Sequence, residues 1–180
     1  VLQNSNVTID AKGISAWGYN IGMMVNPTDK IRLGLNYRSE IMMEARGGDA
    51  TYSDVPDYAQ ALLQDTQFDA DLPLPAEVTT GLSIQFTDKW LVAFDYNYTI
   101  WSAYKSLDIQ FASGSSSSNP RNYKNSSTYR VGTQYKANDK FTFRAGYYFD
   151  ESPVQDGYFA PETPRNDSNA FTGGLTYQIN

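Results

Sequence analysis

Eight side chains carry most of the recognition chemistry that this sequence offers: Arg38, Glu40, Asp95, Asn97, Trp101, Arg130, Arg144 and Tyr148. An arginine can hold a carboxylate through two parallel hydrogen bonds, and Trp101 supplies apolar area. For each of the eight, pairing within the protein is the competing role. Bond-making chemistry is poorly served. The chain has no His and no Cys, which excludes thiol chemistry, disulfides, Cys/His zinc sites and every His-dependent triad. A hydrolase built from Ser and Asp95 would need an unusual base. The residues point to binding without catalysis, and they call for no cofactor and no metal.

Charge and hydropathy narrow the partners. Over 180 residues, 14 Lys+Arg stand against 20 Asp+Glu, a net charge of −6, with a pI near 4.5. A partner with the polyanionic backbone of nucleic acid would demand a basic stripe instead. No apolar run reaches the roughly 18 residues of a membrane helix. Transmembrane strands stay admissible, because they expose only every second residue to lipid. Val1-Leu2-Gln3-Asn4-Ser5 lacks the features of a signal peptide. Both ends read as cuts, so the chain is taken as a segment of a longer protein, a single unit over 1–180.

The elements that must position the eight residues are announced by a repeat. Asp29-Lys30-Ile31-Arg32-Leu33-Gly34-Leu35-Asn36-Tyr37 returns as Asp88-Lys89-Trp90-Leu91-Val92-Ala93-Phe94-Asp95-Tyr96. It returns again as Asp139-Lys140-Phe141-Thr142-Phe143-Arg144-Ala145-Gly146-Tyr147. Each copy opens in a turn and then alternates, which suits a hairpin with a constant tight turn and a variable loop. Alternation predicts about seven strands. Their apolar faces run through Trp17–Val25, Ile31–Met43, Val78–Phe86, Trp90–Ile100, Tyr129–Tyr135 and Phe141–Phe149, with a weaker strand over Ala170–Ile179. Arg32, Arg38, Glu40, Glu44, Glu77, Asp95, Arg130 and Arg144 fall on the opposite face.

Two all-β architectures compete. In a soluble antiparallel sandwich the apolar faces meet in a dry core. In an antiparallel transmembrane β-barrel they face lipid while the charges line the lumen. The barrel is favoured by alternating runs of about 10 residues, longer than the 5–6 usual in sandwiches. It is favoured also by tight turns near 27–30, 87–89 and 137–140 set against long loops near 45–75, 112–126 and 151–168. Aromatic residues gather at two levels, as in interfacial girdles. In the first loop, Pro56–Asp65 reads as a short amphipathic helix presenting Tyr58, Ala61 and Leu62. Between Gly47 and Leu74 there are six Asp and no other charge. Oxygen-rich loops can take hard cations, but this spacing fits no EF-hand, and a solvated acidic loop is expected. Ser113–Pro120 reads as flexible and low in complexity, and the third loop as Pro-rich and rigid.

Five stretches, in order, resemble the FadL-type outer-membrane transporters of long-chain fatty acids and aromatic hydrocarbons. They are Gly18–Gly22 with Leu35–Ile41, Leu72–Val78, Tyr98–Ser102, Phe141–Tyr147, and Asp150–Val154 with Pro161–Arg165. The resemblance implies a barrel of about fourteen strands with an N-terminal hatch in the lumen. This chain would supply the second half of the wall, without the hatch or the last strands. An odd set of strands cannot close by itself, so its edges need partners. The implied function is passive uptake of a hydrophobic ligand across the bacterial outer membrane. Membrane lipid or lipopolysaccharide would surround the wall, and Arg38, Glu40, Asp95, Asn97, Trp101, Arg130, Arg144 and Tyr148 would line the lumen. The rival reading is a structural or adhesive barrel that binds partners through its loops. Substrate and oligomeric state are left open by the sequence.

Overall fold

The computed structural model describes residues 5–159 and 166–179, and within them every regular element apart from two single 3-10 turns is a strand. Pro161–Arg165 of the resemblance lie outside the described residues, as do the outermost residues at each end. Twelve strands form two antiparallel sheets among the described residues. The larger sheet has seven strands: β2 (Asn20–Thr28), β3 (Ile31–Arg38), β6 (Glu77–Thr87), β7 (Trp90–Thr99), β10 (Ser126–Lys136), β11 (Phe141–Asp150) and β12 (Ser168–Tyr177). They are ordered β12-β11-β10-β7-β6-β3-β2, and the sheet is a partial half-barrel.

The tight turns close this sheet at one end for a local reason. The Thr28 and Thr87 hydroxyls accept hydrogen bonds from the backbone N–H of Lys30 and Lys89 at 3.2 and 3.3 Å. The Asn138 side chain accepts from both Lys140 and Phe141 at 2.9 Å. Short polar side chains that bond their own backbone two residues on stabilise turns. The residue ahead of each Asp-Lys pair therefore sets the turn.

Register then lays the apolar residues into continuous rows. Val25, Leu33, Leu82, Phe94, Val131, Tyr147 and Phe171 are cross-strand neighbours in succession across all seven strands. Phe94, Val131 and Phe143 are 42%, 45% and 50% exposed. A sandwich core would bury them, so the apolar face is open, as lipid contact requires. Aromatic pairs band it at both margins. Phe86–Trp90 and Phe141–Tyr177 lie near the turns, with ring centroids 5.1 and 5.0 Å apart. Tyr19–Tyr37 and Tyr96–Tyr129 lie near the far ends, at 5.8 and 5.1 Å.

The regions expected to be long loops are largely strands. β1 (Asn6–Asp10), β4 (Ile41–Ser53), β5 (Thr66–Leu74), β8 (Ser106–Phe111) and β9 (Ser116–Pro120) form a second sheet in the order β1-β4-β5-β8-β9. Each precedes or follows in chain a strand of the larger sheet, and the orders correspond: five of the seven wall strands continue upward after a short break. The Ser-rich 113–120 stretch pairs with β8 across five positions. The helix expected over Pro56–Asp65 is replaced by one 3-10 turn, Asp57–Ala59, followed by a looser turn. Pro56 is extended there (φ −61°, ψ 148°) and no side chain caps the turn. A helix of this length without a cap or a packed face is marginal.

The breaks between the sheets gather the well-buried residues. Ser39, Ala76, Tyr104, Arg121, Tyr123, Ser126 and Ser152 are all buried and all flank strand ends at this level. Ser39 donates its backbone N–H to Tyr19 and Ile100 donates to Ala76, so pairing bridges the breaks.

Candidate functional site

The breaks between β3 and β4 and between β5 and β6 each shift the strand alternation by one residue. Arg38 and Glu77 lie on the polar face of the wall, and Ile41 and Leu74, three positions away on the same strand lines, line the same hollow. Strict alternation would have sent Ile41 and Leu74 outward. The upper sheet consequently carries its apolar face inward: Ile41, Met43, Leu72, Leu74 and Ile109 share it with the buried Ala50 and Phe68. Its outer face is polar, with Glu44, Asp69, Asp71, Asp108 and Ser118. Gly48 permits the inward packing, since a Cβ there would meet the Phe68 ring at 2.5 Å. Apolar side chains thus face outward beside lipid and inward above it, as a membrane boundary at the breaks demands.

The hollow just beneath this boundary encloses about 450 Å³. Glu77, at the start of β6, is its hub. One of its oxygens accepts from Arg38 Nη2 at 3.0 Å, and the other from Asn97 Nδ2 at 2.7 Å and Thr79 Oγ1 at 3.3 Å. The Thr128 hydroxyl donates to Asp150 at 2.7 Å on the opposite side. Trp101, in the 3-10 turn Trp101–Ala103, lines the hollow and meets Tyr123 edge-on at 5.9 Å.

Of the eight residues singled out from sequence, Arg38, Asn97, Trp101 and Arg130 converge on this hollow. Asp95, Arg144 and Tyr148 line a second hollow of about 510 Å³ nearer the turns, which Arg130 also borders. Arg144 is held by the wall, its Nε donating to Gln134 at 2.7 Å and Nη1 to Thr176 at 2.6 Å. Glu40 lines neither hollow. It sits exposed in the break between β3 and β4, where the shift of alternation removes it from the inner face, and Glu44 points outward for the same reason. Glu77, Thr128 and Asp150 belong to the site but were not singled out. Glu77 was visible on the polar face, whereas Thr128 and Asp150 were not placed on either face, and only register reveals that they meet across β10 and β11.

Titration outside the membrane-spanning strands follows the hydrogen bonds. The hydroxyls of Ser118 and Ser106 donate to the Asp108 carboxylate at 2.6 and 2.7 Å and hold its pKa below the ordinary value. Lys124 donates to Glu151 at 2.8 Å, which raises the ammonium pKa against the opposing pull of burial. No group of three or more His, Cys, Asp or Glu suited to a metal occurs among the described residues.

Comparison with known proteins places this geometry. The family model described as "Outer membrane protein transport protein (OMPP1/FadL/TodX)" matches residues 1–180. A 47 kDa outer membrane protein of Pasteurella multocida is 28% identical over 91% of the chain, and a long-chain fatty acid transport protein of Escherichia coli is 25% identical over 98%. These matches cover 40% and 42% of the two relatives, so the chain spans about two fifths of their length. Among solved structures, a Pseudomonas aeruginosa FadL homologue superimposes with a TM-score of 0.81 at 25% identity, covering 91% of this chain and 40% of that one. The Pseudomonas putida toluene transporter TodX gives 0.62 at 25% identity, covering 92% and 41%. These relatives and solved structures, where named for an activity, are transporters or channels. With open apolar rows, charges turned inward and a family match along its whole length, the chain belongs to the OMPP1/FadL/TodX family of outer-membrane transport proteins and is part of an outer-membrane β-barrel.

Proposed function

We propose that the complete protein carries hydrophobic small molecules, such as long-chain fatty acids or aromatic hydrocarbons, passively across the outer membrane. The observation that carries this reading is the reversal of the apolar face at the membrane boundary. Above the boundary Leu72 and Leu74 are turned inward yet remain 37% and 41% exposed. They offer a greasy surface that water alone would not favour. Leu74 also lines the hollow holding Arg38, Glu77, Asn97 and Trp101. A ligand would transfer from one apolar lining to the next, and its departure from water would drive entry. No residue need alter the ligand covalently, so we read the protein as a transporter and not an enzyme. Membrane lipid and lipopolysaccharide are the partners proposed for the outward rows.

The test is uptake of radiolabelled oleate and of toluene by cells lacking their own transporter and producing the full-length protein. We expect uptake of at least one of them about tenfold above cells with an empty vector, and a marked loss on Leu72→Glu or Leu74→Glu. A barrel that assembles in the outer membrane yet speeds neither compound would refute the proposal.

A second reading rests on the turn between β4 and β5, where Tyr58 and Leu62 are 81% and 84% exposed. In an adhesive barrel this tip would contact a partner. Replacing both by Ser should then abolish adhesion while leaving uptake intact.

A further inference from the structure

We infer that a hollow on the outer face of the upper sheet, with Lys105 at its membrane side, holds the phosphorylated sugar head of a lipopolysaccharide whose acyl chains lie on the outward rows below. This rests on the reading above that lipopolysaccharide surrounds the wall, and it gives that lipid a site.

The first support is position. Tyr37, Val78 and Tyr98 are cross-strand neighbours on the outward face of the wall, next to the breaks. Aromatic rings at this level mark the head-group region of a membrane. Just above them, Met42 and Pro73 pair on β4 and β5, and the shift of alternation keeps both on the outer face. Together with Ala103 and Lys105 they border a hollow of about 440 Å³. The end of an outer-membrane barrel opposite its tight turns lies at the cell surface, where the lipid leaflet is lipopolysaccharide. The hollow is therefore continuous with the lipid-facing rows and opens at the level of that lipid's head.

The second support is the set of fixed acceptors. Asp69, Asp71, Asp108 and Gln110 line the hollow further from the wall. Each carboxylate is anchored by the protein. Arg46 Nη1 donates to Asp71 at 2.5 Å, the Gly47 N–H to Asp69 at 2.8 Å, and the Ser106 and Ser118 hydroxyls to Asp108 at 2.7 and 2.6 Å. An anchored carboxylate still has acceptor sites to spare. Such acceptors beside the apolar surface of Ala70 and Pro73 suit a sugar, whose hydroxyls donate and whose C–H faces are apolar. The glycerol head of a phospholipid brings fewer donors and would leave most of these sites to water.

The third support is a cation without a counter-charge. Arg46 is held by Asp71 and Glu44, at 2.5 and 3.4 Å. The Lys105 ammonium, exposed beside the break, forms no hydrogen bond or ion pair among the described residues. An ammonium acts as a point charge that takes up phosphate without demanding one orientation. Basic side chains at a membrane margin recognise phosphorylated heads in this way. Lys105 answers the phosphate, and the acceptors above it answer the sugar.

The test titrates the delipidated full-length protein, in non-ionic micelles, with lipid A and separately with dioleoylphosphatidylglycerol, and counts bound lipids by native mass spectrometry. Wild type should bind one lipid A about tenfold more tightly than the phospholipid. Lys105→Ala should remove most of that preference while leaving phosphatidylglycerol unchanged, and Lys105→Arg should restore it. Lipid A stripped of its phosphates should no longer distinguish wild type from Lys105→Ala. Lys140→Ala, in the tight turn at the opposite margin, should change nothing. Retention of heat-modifiable mobility identifies the variants that have folded. A preference that survives Lys105→Ala, or falls equally with Lys140→Ala, overturns this inference and leaves lipopolysaccharide as a general partner of the wall. Lipid A bound no more tightly than the phospholipid by wild type overturns the site and that partner together. Uptake of oleate and toluene, measured in parallel, reports on transport alone.

Discussion

A carboxylate that accepts three hydrogen bonds from three different strands is a residue-scale device, and Glu77 is one. Its bonds to Arg38, Thr79 and Asn97 tie β3, β6 and β7 together inside the lumen. From sequence it was one charge among several on a polar face, because nothing local says which arginine it meets. Asp108 plays the corresponding part outside the membrane, pinned by Ser106 on its own strand and Ser118 on the next. Since those bonds favour the ionised form, its folded pKa lies below the ordinary 3.8. The resulting stabilisation is complete above the unfolded value and disappears as pH falls through the lower, folded one. Ser118→Ala should move the Asp108 midpoint back toward its ordinary value and soften the acid sensitivity of the β8–β9 hairpin. Carboxyl carbon shifts followed across pH 2–6 by NMR (about the range where a carboxylate titrates) provide the check, and an unmoved midpoint contradicts the assignment.

At the scale of elements, the decisive feature is the shift of alternation at the breaks beside Ser39 and Ala76. The seven wall strands were legible because each alternates over a stretch long enough to announce itself. The upper strands were not. Gly47 and Gly48, the aspartates of β5 and the serines of β9 have poor strand propensity and read as loop. They become strands because a neighbouring wall strand delivers each of them to a partner, and tertiary pairing overrides propensity. Gly47 even adopts φ +62° at a bulge in β4, where its N–H meets Asp69 at 2.8 Å. The two faces of the wall therefore respond differently to the same substitution. Val131→Arg, at the middle of the lipid-facing row, should lower stability by about 2–4 kcal/mol. Thr79→Arg on the lumen face of the same wall should fall well short of that. Urea unfolding of the full-length protein from lipid vesicles distinguishes them, and equal losses would mean that the apolar row does not meet lipid.

At the scale of the whole molecule, β2 and β12 are open edges, and the rest of the barrel must pair with them. Trp17 and Phe171 are 92% and 83% exposed, on the approach to one edge and on the other. The isolated 180-residue chain should fail to give the heat-modifiable, protease-resistant form in detergent that the full-length protein gives, because an unpaired strand edge in a hydrocarbon environment leaves backbone groups unsatisfied. A compact, protease-resistant form of the segment alone would contradict this. The sequence by itself determined the all-β class, the tight-turn end, the lipid-facing rows and the absence of His and Cys chemistry, since composition and alternation are local properties. The five upper strands, the inward turn of Ile41 and Leu74, the loss of Glu40 from the lumen and the pairing of Glu77 with Arg38 were decided only by the tertiary structure. Those features depend on register between strands distant in sequence, and a one-residue shift in register exchanges the two faces of a strand.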